Sequence, residues 1–174
     1  MNNVIYDCYW EGPFSLDEVQ DEIVSRDNGH CLYQIYGDHP CYGNDVLLYI
    51  GQTRKGIDQR FKQHNRLFSA QCNKVTVFIA SCGEFTTWEN WHGTEVYALP
   101  DGKTLNAIES LLIYAHQPAY NSREKCQAIF SGQDFRLFNT YRRKALMPEV
   151  STLFYRDDRE HSKVDKDEKS LDKN

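Results

Sequence analysis

Cys31-Leu-Tyr-Gln-Ile-Tyr36 and Val46-Leu-Leu-Tyr-Ile50 decide how the fold is read. Both runs are rich in aromatic and aliphatic residues and have the length of strands. Between them, Gly37-Asp-His-Pro-Cys-Tyr-Gly-Asn-Asp45 is dense in turn formers. Two strands joined by a loop and pairing antiparallel is the reading that follows. Outward from this hairpin, Ile57 to Phe68 has helical spacing, with Ile57, Phe61, Leu67 and Phe68 as apolar anchors. Lys74 to Ala80 alternates and carries β-branched residues, which predicts a third strand. Leu105 to His116 predicts a second strong helix, stopped by Pro118. Upstream, Ser15-Leu-Asp-Glu18 has the form of a capping box, and Leu16, Val19 and Ile23 follow at helical spacing, predicting a short helix over 15–26. Downstream, Phe130 to Leu146 reads as a further helix, and 156–174 as a disordered charged tail. The order α, β, β, α, β, α predicts an α/β (α+β) sandwich, a small three-stranded antiparallel sheet flanked by helices.

Composition narrows the class. The chain has 174 residues, 40% hydrophobic and 26% charged, which fits one globular domain. No apolar run approaches the ~20 residues of a membrane helix, so a membrane partner is not expected. The start MNNVIYDCYW lacks the basic residues and apolar stretch of a secretory signal, so a cytoplasmic protein is expected. The six cysteines contain no C-x-x-C pair, which leaves a zinc ribbon without support and predicts reduced thiols. His39 and Cys41 read as loop residues.

The net charge of −5 alone speaks against a nucleic-acid binder. Its distribution does not. Residues 1–30 carry seven acids against Arg26, whereas residues 31–155 carry thirteen bases against eleven acids, a net of +2. Local basic groups are Arg54 with Lys55, the series Arg60, Lys62 and Arg66, Arg123 with Lys125, and the run Arg142, Arg143, Lys144. Any one of them also reads as solvated surface.

Several polar positions fall on the predicted elements. Tyr33 and Tyr49 lie in the two hairpin strands and could face each other across the ladder. Arg60 and His64 are four apart on a helix, so they project from one face about 6 Å apart along the axis. Glu109 sits among Ile108, Leu111 and Leu112, where a carboxylate is costly unless paired, metal-bound or turned to solvent. Asn121 follows Pro118-Ala-Tyr120. Each alone has a plain reading: sheet aromatics, a solvated helix face, an exposed glutamate, a turn asparagine.

Jointly the pattern resembles the GIY-YIG nuclease family. The family's first motif is matched by Cys31-Leu32-Tyr33, and its second by Tyr49-Ile50-Gly51 followed by Gln52-Thr53. Arg60-Phe-Lys-Gln-His64 matches its R-x-x-x-H, Glu109 its helix glutamate, and Pro118-Ala-Tyr-Asn121 its closing proline and asparagine. The resemblance spans about residues 30–122. It departs in Cys31 and Leu32, which replace Gly and Ile, in a long loop between the motifs, and in an insertion near 81–101. It implies an acidic N-terminal extension over 1–29, a nuclease core over 30–122, a C-terminal helical segment over 123–155 and the tail.

The function implied is a divalent-metal-dependent DNA endonuclease. By resemblance, Glu109 binds one Mg²⁺ (or Mn²⁺), whose remaining positions are filled by water and phosphate oxygens. Arg60 holds the scissile phosphate through its planar donor fork. Tyr33 acts on the attacking water as general base or orienter, with His64 relaying the proton, Tyr49 in support and Asn121 bracing the site. A tyrosine near pKa 10 needs such help at neutral pH. Arg54, Lys55, Lys62, Arg66, Arg142, Arg143 and Lys144 are the candidate phosphate contacts. Symmetric cutting of double-stranded DNA would favour a homodimer. Two other readings stay open: a non-cleaving nucleic-acid-binding module of the same fold, and a nuclease toxin or effector held by an inhibitor.

Overall fold

The computed structural model describes residues 4–19, 31–53, 75–89, 100–122, 124–126 and 134–156. In chain order these form β1 (Val4–Phe14), β2 (Cys31–His39), β3 (Gly43–Thr53), β4 (Thr76–Glu84), α1 (Gly102–His116), β5 (Phe135–Tyr141) and β6 (Glu149–Ser151). A single 3-10 turn over Thr152–Tyr155 follows. All six strands join one sheet in the order β3-β2-β4-β1-β5-β6. Every neighbouring pair is antiparallel except β1 and β5, which run parallel.

This corrects the expected α/β sandwich with a three-stranded sheet flanked by helices. Among the described residues strand makes up 49% and helix 21%, in a curled mixed sheet with one complete α-helix. The three predicted strands are present as β2, β3 and β4, and β2 lies between the other two. The surplus comes from the flanks. Val4–Phe14, read only as part of an acidic extension, is β1 and pairs on both of its edges. The helix read over 130–146 is replaced by β5. There Phe135, Leu137 and Asn139 turn inward and Arg136, Phe138 and Thr140 alternate with them, a period of two that only a strand satisfies. The predicted helix over 57–68, the remainder of 15–26 beyond Val19, and the tail 157–174 lie outside the described residues.

The capping box is built as its sequence implies. The Ser15 amide donates to Glu18 Oε2 at 2.8 Å, and the Glu18 amide donates to Ser15 Oγ at 3.2 Å. These bonds hold the Glu18 carboxyl below its ordinary pKa.

Side chains alternate between two apolar layers. On one face Trp10, Leu32, Tyr36, Ile50 and Phe78 pack against Leu105, Ile108, Leu111 and Leu112 of α1. On the other, Tyr33, Ile35, Val77 and Ile79 pack with Val19, Phe14 and Leu16. Both layers are shielded from water, which is the main stabilising term. β1 passes β4 through a bulge between Glu11 and Phe14. Gly12 makes this possible: at φ +136° a Cβ would come within 2.8 Å of the Val77 carbonyl.

The cysteine expectation also changes. Cys8 and Cys82 are directly opposed in β1 and β4, with Cα atoms 4.4 Å apart, and are joined as a disulfide. Cys31, Cys41 and Cys126 are free thiols. No described helix is long and apolar enough to cross a membrane.

α1 starts at Asp101, whose carboxylate accepts from the Thr104 amide at 2.7 Å. It ends at Gln117 in the left-handed region, φ 51°, just before Pro118. The chain then runs along the outer edge of β3. Ala119 N donates to Leu47 O and Tyr120 N to Leu48 O, at 3.1 and 2.8 Å. That edge would otherwise present unpaired backbone groups.

Candidate active site

Residues singled out from sequence gather at the C-terminal end of β3, around Gly51-Gln52-Thr53. In the β2–β3 ladder Tyr33 is paired with Gly51 and Ile35 with Tyr49, so Tyr33 and Tyr49 are diagonal neighbours on one face. Their rings stack at 6.0 Å between centroids with an interplanar angle of 24°. Gly51 makes this pairing possible. A Cβ there would lie 2.6 Å from the Tyr33 hydroxyl and 2.7 Å from Tyr49 Cε1. The glycine of the Tyr-Ile-Gly motif is thus the floor on which the Tyr33 hydroxyl rests. Tyr33 is only 2% exposed.

Glu109 stands on the opposite face of the same strand. Successive strand residues point to opposite faces, so Gln52 projects away from the tyrosines and toward α1. Its Nε2 donates to Glu109 Oε2 at 2.7 Å and to Asn106 Oδ1 at 2.5 Å. Asn106 and Glu109 are one turn apart on α1, which brings both oxygens to the same amide. Glu109 is half-buried and Asn106 exposed, so the cluster opens to solvent on its Asn106 side.

Asn121 is buried at the edge of β3, where it mimics a strand partner. Its Oδ1 accepts from Ile50 N and its Nδ2 donates to Ile50 O, both at 2.9 Å. The side chain therefore fixes the backbone one residue before Gly51. Tyr33, Tyr49, Glu109 and Asn121 thus flank three consecutive residues, with only the Gly51–Gln52 backbone between the tyrosine face and the carboxylate face.

The same short stretch holds buried polar atoms that lack a partner. Among the described residues, Gln52 Oε1 and Thr53 Oγ1 are buried without a hydrogen bond. They belong to adjacent residues and point to opposite faces. Such atoms are rare in folded proteins because each forfeits its hydration. Their coincidence with the tyrosine pair and Glu109 makes this end of β3 the candidate site.

Arg60 and His64, and with them Arg54, Lys55, Lys62 and Arg66, lie outside the described residues. The run Arg142, Arg143, Lys144 follows β5 and is tied to the protein's own groups. Arg142 donates to the Gly12 carbonyl and lies over the Tyr141 ring. Arg143 donates to the Leu146 carbonyl. Lys144 Nζ is 2.6 Å from Asp45 Oδ2 and 4.2 Å above the Tyr36 ring. It helps line a cleft of about 450 Å³ with Pro13, Asp38, Asp45, Thr76 and Phe78, at the turn end of the hairpin. Lys144 is thereby held at the turn end, whereas the Arg143 carbonyl accepts from Gln34 Nε2 at 3.4 Å, at the β2 position paired with Ile50.

The donors around Glu109 suit a hard divalent cation. Among the described residues no three of His, Cys, Asp or Glu cluster for a metal. The carboxylate is instead accompanied by the Asn106 amide oxygen and by the Gln52 side-chain amide, whose Nε2 faces both, and Mg²⁺ takes oxygen ligands while keeping several waters. Sequence reasoning passed over Gln52 and Asn106. The signal for Asn106 was its i, i+3 spacing from Glu109; Gln52 was quoted only as the residue after the glycine. No family model, no curated protein and no solved structure matches this chain.

Proposed function

We propose that the chain is a divalent-metal-dependent endonuclease that hydrolyses phosphodiester bonds in DNA. The observation that supports this reading best is the convergence on Gly51-Gln52-Thr53 of a stacked tyrosine pair, a half-buried carboxylate and two unpartnered buried polar atoms. The sequence resemblance to GIY-YIG nucleases adds the chemistry. A cation held by Glu109 would supply a Lewis acid for the scissile phosphate. Tyr33 orients the attacking water or takes its proton, and Tyr49 fixes the Tyr33 ring by stacking. Gly51 leaves the Tyr33 hydroxyl room, and Asn121 holds the strand that carries both. Arg60 and His64 enter this proposal by resemblance alone, as phosphate clamp and proton relay.

A second reading, a non-cleaving nucleic-acid-binding module, is favoured by one observation. Tyr33 is almost wholly enclosed, which suits a packing role as well as a chemical one. Incubation of supercoiled plasmid with the protein and Mg²⁺ separates the two. The nuclease reading expects nicking or linearisation by the intact chain. It expects a loss on the order of 10³-fold in Glu109→Ala and Tyr33→Phe, since a metal or proton-transfer group is worth several kcal/mol in the transition state. Folded protein that binds DNA but leaves it intact would put the binding module first. Equal cutting by all three would remove these residues from the chemistry.

A further inference from the structure

We propose that Gln52 and Asn106 complete, with Glu109, a divalent-cation site of three side-chain oxygens, one from β3 and two from α1. The proposal rests on the nuclease reading for the use of the ion and extends it by naming two further ligands.

The geometry is that of a site closed by its own amide. Gln52 Nε2 lies between Asn106 Oδ1 at 2.5 Å and Glu109 Oε2 at 2.7 Å, where its two N–H groups satisfy both oxygens. The other end of the same amide, Oε1, is buried and has no hydrogen bond. This is an unusual arrangement for a residue whose only task is to link strand to helix, because a shorter donor would do so without burying an acceptor. A half-turn of the amide exchanges Nε2 and Oε1 without changing its shape. Three oxygens would then face one another, which is unfavourable unless a cation lies among them. In octahedral Mg²⁺ coordination, ligands about 2.1 Å from the ion at right angles lie about 3 Å apart, close to the spacings already present. Turned in this way, the Gln52 carbonyl oxygen would take the position of Nε2 beside Asn106 Oδ1 and Glu109 Oε2 and serve as the third ligand.

The donor set also selects the ion. Carboxylate and amide oxygens with no thiolate or imidazole favour Mg²⁺ or Mn²⁺ over Zn²⁺. A single formal charge among three donors makes the site weak, so the ion keeps waters on the solvent side next to Asn106. Those positions are the ones a phosphate oxygen would take.

Mn²⁺ binding to the full chain without DNA, followed by the electron paramagnetic resonance of the free ion, tests this. The proposal expects one bound Mn²⁺, abolished in Glu109→Gln and weakened at least about tenfold in both Asn106→Ala and Gln52→Leu. It expects tighter binding in Gln52→Glu, a gain that misfolding cannot produce. Because Asn106 is exposed, Asn106→Ala tests the site without disturbing the core. Mn²⁺ affinity unchanged in Asn106→Ala and Gln52→Leu would overturn the proposal, as would the absence of bound Mn²⁺ in the intact chain. The nuclease reading is judged separately by plasmid cleavage. Cleavage that depends on Glu109 but not on Gln52 or Asn106, with Mn²⁺ affinity likewise indifferent to them, sinks the ligand proposal and leaves the nuclease. Three-oxygen Mn²⁺ binding in a chain that never cuts DNA supports the site and sinks the nuclease.

Discussion

The two ends of the β2–β3 hairpin are built on opposite terms. At the turn end, polar groups are matched. The Tyr36 hydroxyl donates to Gln34 Oε1 at 2.8 Å and accepts from Ala145 N at 3.1 Å, and Lys144 is paired with Asp45. Burial pushes the Tyr36 phenol well above its ordinary pKa, so it stays a neutral donor. At the other end, Gln52 Oε1 and Thr53 Oγ1 are buried without partners. One end is fully bonded; the other holds unspent hydrogen-bonding capacity where the tyrosines and Glu109 lie on opposite faces of one strand. Matched and unmatched polar groups are thus separated along one pair of strands.

The largest test of this contrast is Gly51→Ala. The added methyl would overlap both tyrosine rings, so a loss of about 2–3 kcal/mol is expected in chemical denaturation, from overpacking. A loss near zero would mean that the rings are free to move and the floor is not fixed. The next test deletes one oxygen at each end. Tyr36→Phe strands Gln34 Oε1 and the Ala145 amide and should cost about 1–2 kcal/mol. Thr53→Val removes an oxygen that has no partner, and should raise stability by up to about 1 kcal/mol. The opposite signs are the prediction; two losses of similar size would erase the contrast.

The smallest effect is a pH dependence at His116, the last residue of α1. His116 Nδ1 is 2.9 Å from the Leu112 carbonyl, and its Nε2 accepts from the Met147 amide at 2.9 Å. The neutral ring with the proton on Nδ1 satisfies both. Burial lowers the His116 pKa, against a smaller opposing effect of the Leu112 hydrogen bond. The unfolded chain therefore binds the proton more readily, and folded stability falls as pH drops below about 6.5, the ordinary histidine value. The thermal midpoint of His116→Gln, measured between pH 7.5 and 5, should fall less steeply than that of the intact protein.

Sequence reading located the hairpin because Cys31–Tyr36 and Val46–Ile50 are apolar runs set off by a turn-rich loop, and Leu105–His116 because its period is helical. It could not place β1. Asp7 lies fully buried in that strand, where the Thr140 hydroxyl donates to it at 2.8 Å. A charged residue in the middle of a core strand reads as surface until its partner, 133 positions away, is known. Phe135–Tyr141 failed for a related reason: Arg136 and Asn139 disguise the alternation, and their partners Glu149 and Trp10 come from other strands. Of the candidate site, Tyr33, Tyr49, Glu109 and Asn121 were singled out in the sequence by the joint motif pattern. Gln52 and Asn106 were not, because an amide announces nothing until its neighbours are in place.

The placement of β1 has a consequence for the order in which the chain can assemble. The first strand made is central to the finished sheet, held by β4 on one side and by β5 on the other, with Val4 opposite Phe135 and Trp10 opposite Tyr141. On a ribosome, β2, β3 and β4 can find one another early, while residues 4–14 wait until position 141 has emerged. Contacts between sites so distant in sequence slow folding. An apolar strand kept waiting is also open to capture by another chain. Nascent-chain truncation should therefore show protease resistance for the whole sheet arising only after β5 has been synthesised.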